Sequence, residues 1–129
     1  MLGVCLALAT LGAVSVAEIP ALAAEVEAEA RALTAQTEVT PAFLAELEEF
    51  SADSMRLSDS LRAAEVEADL PCIFRGIAED AALRVAEFHA ADAEAERAAA
   101  FTELRVLLDD AILIAPMAAA AAQQNAPSP

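Results

Sequence analysis

Side chains that could do chemistry are sparse in this chain. His89 is the single histidine among 129 residues. A hydrolytic triad needs an imidazole base, and zinc or di-iron centres in helical proteins draw on several inward-facing His and carboxylate ligands. His89 alone builds neither, and Glu87, two positions away, falls on a different face of any helix. A place near a helix C-terminus, where a cation complements the dipole, is the simpler reading. The carboxylates are numerous but poorly focused: Glu25, Glu27 and Glu29, like Glu46, Glu48 and Glu49, spread around their helices. Asp109 and Asp110 interrupt an apolar run, and Asp109 stands four residues after Arg105, the spacing of a surface ion pair. The alternative is a buried acid, or a cation ligand facing another helix.

Other signatures are missing. No Asp-x-Asp-x-Asp-Gly calcium loop occurs. Gly76 is the only glycine after Gly12, which excludes phosphate loops and dinucleotide fingerprints. Inside a helix, Gly76 suggests a close helix crossing. Arg75, Arg84, Arg97 and Arg105 could converge on an anion, but 22 acidic residues are there to neutralise them. The sequence therefore offers no catalytic, cofactor-binding or metal-ligating residues, and the reading is non-enzymatic. Cys72 carries the remaining reactive group. If Cys5 were removed by processing, an odd cysteine would be left: a buried, inert thiol or an intermolecular disulfide through Cys72.

Around these residues the composition is that of a small helical domain. Thirty-six residues are Ala, the best helix former, and Tyr and Trp are absent. The formal net charge is -15, and all seven basic residues are Arg. Such a surface repels nucleic acid and anionic lipid, so neither is an expected partner.

The first 17 residues carry no side-chain charge, and they close on Ser15-Val16-Ala17. This is the small-x-small pattern of a secretory signal peptide, although no Lys or Arg precedes its apolar core. Ala21-Leu22-Ala23 offers a second cleavage point. Residues 1–23 are thus read as a signal peptide, cleaved after Ala17 or Ala23. The destination is the bacterial periplasm or exterior, with membrane contact only if the segment is retained.

Apolar periodicity then lays out helices. Leu22, Val26, Ala30 and Leu33 mark one from Ala21 to about Thr37. Thr40 and Pro41 open a second, expected to run to Asp69 along Phe43, Leu47, Phe50, Ser54, Leu57, Leu61, Ala64 and Ala68. After Pro71 comes a third, with Phe74, Ala78, Ala81, Val85 and Phe88, helped by Ile73 and Ile77. The last carries Phe101, Leu104, Leu108, Ala111 and Ala115. Val106, Leu107, Ile112, Leu113 and Ile114 widen its apolar face and suggest the most buried element. The fold class is all-α: a small antiparallel bundle of three to four helices, one long, over residues 24–116. Residues 117–129 read as a disordered tail. The expected role is association with a protein partner or with itself; the alternative is a bundle binding a small ligand or cation.

Overall fold

The computed structural model describes residues 12–66 and 69–125, and within them the protein is an all-α bundle. Its helices are α1 (Ile19–Thr34), α2 (Pro41–Ala63), α3 (Asp69–Ala90) and α4 (Glu94–Asn125), preceded by a single 3-10 turn, Val16–Glu18. Short connections make sequential neighbours antiparallel. Contacts run around the ring α1–α2–α3–α4 and close it, with α2 against α3 and α1 against α4 the most extensive.

Helix starts follow local chemistry. The Glu18 carboxylate accepts from the Ser15 backbone N–H at 3.0 Å and the Ser15 hydroxyl at 2.9 Å. These bonds hold its pKa below the usual carboxylate range. Pro20 then occupies the first turn of α1. Thr40 caps α2 by accepting from Phe43 N–H at 3.0 Å, and Pro41 supplies the first helical residue, where a missing amide hydrogen costs nothing.

The stripes read from sequence form the core. Phe43, Leu47, Phe50, Ser54, Leu57 and Leu61 are all fully buried, so α2 passes through Ser51–Ser54 without a break. Leu22, Val26, Ala30 and Leu33 of α1 are buried too, as are Phe74, Ala78, Ala81, Val85 and Phe88 of α3. Serines reinforce the α2–α3 seam. Ser51 Oγ donates to Ala78 O at 2.7 Å, and Ser58 Oγ donates to Pro71 O at 2.5 Å.

Besides α1, which runs Ile19–Thr34 rather than Ala21 to about Thr37, three boundaries differ from the sequence reading. The second helix ends at Ala63, not near Asp69. Glu65 adopts φ 56°, its N–H donates to Arg62 O, and Val66 N–H donates to Leu61 O. That is a Schellman stop, completed by the buried Val66. A residue other than Gly in this conformation is disfavoured by about 1 kcal/mol, so composition gave no warning. Ala68, placed in the stripe by periodicity, lies outside the described residues. Second, α3 begins at Asp69 and takes Pro71 into its first turn. Third, α4 continues through Pro116 to Asn125, so residues 117–125 are helix rather than disordered tail. Ala118 and Ala122 are fully buried and extend the seam of Leu104, Leu108, Ala111 and Ala115 by two more turns. That added packing offsets the amide hydrogen bond that Pro116 cannot make.

Residues 14–23 belong to this architecture. Ile19, Leu22 and Ala23 are core residues of α1. Upstream of them, Val14 N–H donates to Ser60 Oγ at 2.9 Å, and Val14 and Val16 pack against the core.

Candidate functional site

α4 is apolar on two sides, and only one of them is used inside the bundle. Its inner seam buries Leu104, Leu108, Ala111, Ala115, Ala118 and Ala122. Its outer face carries Val106, Asp110, Leu113, Met117 and Ala120 at intervals of four, three, four and three, all exposed. Val106 is 60% exposed, Leu113 71% and Met117 57%, the three most exposed large hydrophobics among the described residues. This corrects the expectation that α4 is the most buried helix. Leu107, Ile112 and Ile114 are half-buried, whereas Val106 and Leu113 face solvent. A four-three repeat on an exposed helix face, apolar here at every position but Asp110, is the geometry that accepts a second helix, knobs into holes. Asp109 and Asp110 give the face a negative character, and both are exposed.

The other sequence candidates do not assemble into a chemical centre. Asp109 and Asp110 are not buried ligands. Nor does Arg105 pair with Asp109: its guanidinium lies 5.1 Å from the centroid of the Phe101 ring. Arg75 binds Glu79 at 2.8 Å, and Arg84 bridges Glu87 at 3.1 Å and Glu103 on α4. These two arginines are thereby neutralised by acids. Asp80, placed four residues before Arg84, is not Arg84's partner. Gly76 is exposed, and a Cβ there would meet nothing within 4 Å, so it marks no close helix crossing.

His89 is exposed in the last turn of α3 and lines a cavity of about 620 Å³ at one end of the bundle. Val39, Leu44, Glu48, Phe88 and Arg97 share that lining. Below lies an aromatic cluster: Phe43 stacks on Phe101 at 5.8 Å and meets Phe88 edge-on at 6.1 Å. The polar groups around this opening carry both signs, so it selects neither anions nor cations.

Cys72 is half-buried in the first turns of α3 and is disulfide-bonded. The chain's other cysteine is Cys5, outside the described residues. In the full-length chain, Cys72 therefore presents no free thiol to a second molecule. Among the described residues no group of three or more His, Cys, Asp or Glu is placed to hold a metal ion. No described helix is long and apolar enough to cross a membrane. Comparison with known proteins found no matching family model, no matching curated protein and no matching solved structure.

Proposed function

We propose that this protein is an exported, non-catalytic helical adaptor whose outer α4 face docks a basic amphipathic helix of another protein. The observation that carries the reading is the solvent-facing repeat of Val106, Leu113 and Met117, with Asp110 within it and Asp109 alongside. Burial of such side chains against a partner is favourable by about 25 cal/mol per Å² of apolar surface. Charge selects which partner. Two copies at -15 each repel one another, whereas Lys or Arg flanking an apolar seam would meet the acids of α4 and speed encounter.

The test is photo-crosslinking from position 113 in the producing cell. The expected product joins this chain to a protein whose crosslinked segment is a Lys/Arg-flanked amphipathic helix, and Val106→Asp in the same chain removes that product. Crosslinking chiefly to a second copy, or a product indifferent to Val106→Asp, would reject the docking assignment.

Export is supported by the uncharged N-terminal run and its small-x-small ending. Of the two cleavage points, the one after Ala17 fits better, because it leaves α1 whole; cleavage after Ala23 would remove Ile19, Leu22 and Ala23 from the core. N-terminal sequencing of protein from the periplasm or medium is expected to begin at Glu18. Cleavage before the Cys72 disulfide forms takes away Cys5 and leaves the Cys72 thiol for a bond between chains. A reductant-sensitive dimer, absent in Cys72→Ser, would then appear on electrophoresis. Recovery of a species starting at Met1 would argue for retention of the whole segment.

A further inference from the structure

Between α1 and α2 two carboxyl groups meet. Glu29 of α1 reaches hydrogen-bonding range of the Asp53 carboxyl on α2. Its Oε2 is buried, and no N–H or O–H is placed to donate to it. Two ionised carboxylates have no proton to share, so an oxygen in that position is satisfied only when one of the pair is protonated. The charges around it do not relieve the conflict. Glu25 on α1 and Glu49 on α2 add further negative charge at Glu29. Arg56 on α2 lies 3.2 Å from Asp53 Oδ1 and forms its ion pair there. A cleft of about 320 Å³, lined by Ala28, Glu29, Ala32, Glu46 and Glu49, opens beside the pair. Space for water is thus already next to the joint.

We propose that Glu29 and Asp53 form a proton-operated latch between α1 and α2, shut while the pair holds one proton and loosened when both carboxyls ionise. Burial, followed by the bond and the charge from Asp53, raises the Glu29 pKa from 4.5 to about 8. The folded protein therefore holds a proton that the unfolded chain has released over the interval between those values. Stability from the latch is complete below the unfolded pKa and is lost as pH rises toward about 8. The latch favours a protein kept tight in mildly acidic surroundings. It operates through α1, which also covers α4, and is independent of what docks on the outer α4 face.

The test is chemical unfolding of the full-length protein at about pH 5 and about pH 8.5, followed by circular dichroism. In the wild type, the unfolding equilibrium constant is expected to rise about tenfold or more between the two, one pKa unit's worth of linkage for a partly exposed pair. Glu29→Gln, which carries a permanent amide proton to offer Asp53, should abolish most of that rise; Asp53→Asn should do likewise by a different route. Glu48→Gln, on the exposed face of α2, should retain it. Hydrogen-exchange protection, corrected for intrinsic rates, should fall with pH around Val26–Ala30 in the wild type and not in Glu29→Gln. A pH dependence unchanged in both Glu29→Gln and Asp53→Asn would overturn the proposal.

Discussion

Deleting residues 1–17 and deleting residues 1–23, each in a Cys72→Ser background, isolates the first turn of α1. Both proteins lack Cys5, the Val14–Ser60 hydrogen bond and the Ser15–Glu18 box, so those losses cancel in the comparison. What separates them is the segment containing Ile19, Leu22 and Ala23, exposed by 0%, 4% and 1% respectively. Full burial of an Ile or Leu side chain is worth about 1.5–3 kcal/mol, so the pair represents about 3–6 kcal/mol. The shorter protein also uncovers part of the alanine seam of α4, since Ala23 and Pro20 adjoin Ala115 and Ala119 across the α1–α4 gap. Domains of this size are stable by about 5–15 kcal/mol in all, so the loss consumes a large share. Thermal unfolding should place the protein starting at Ala24 at least about 12 °C below the one starting at Glu18, taking 4 °C per kcal/mol. It should also show weaker cooperativity. Equal midpoints would refute the assignment of Ile19 and Leu22 to the core, and with it the argument for cleavage after Ala17.

Two substitutions test smaller claims. Ser54 is fully buried in the α2 seam with an Oγ that finds no hydrogen-bond partner, so Ser54→Ala should stabilise the protein by about 1 kcal/mol in urea unfolding. Ser54→Leu, attractive from the apolar stripe alone, adds volume to a closed site and should cost about 1–3 kcal/mol. Gly76 is helical, exposed and free of neighbours, so Gly76→Ala should stabilise by about 0.5–1 kcal/mol; a destabilised variant would mean that a side chain or partner packs there.

Periodicity made the inner seams legible because burial demands it. Each apolar side chain from Phe43 to Leu61 had to return to one face, and the lone Ser54 was carried inside by its position. Helix ends were less legible where no residue of special conformation marks them. Glu65 stops α2 in a geometry usually given to Gly, and the alanines after Pro116 keep α4 going because α1 is there to cover them. The outer stripe of α4 was visible as extra apolar residues, but from sequence these merged with the inner seam into one broad face. Separating the two requires knowing where α1 and α3 sit. The Glu29–Asp53 contact was beyond reach for a related reason: it depends on the register of α1 against α2, and each acid alone resembles many others on an acidic surface.

The docking assignment is tested most directly by titrating the purified protein with two synthetic helical peptides that share one leucine seam, one flanked by lysines and the other by glutamates. The lysine peptide should bind saturably, weaken as salt screens the acids of α4, and lose most of its affinity to Leu113→Asp, which at an exposed position leaves the fold and its helical spectrum unchanged. The glutamate peptide should not bind. Equal binding of both peptides, or full affinity retained by Leu113→Asp, would contradict a basic helix docking on the outer face of α4.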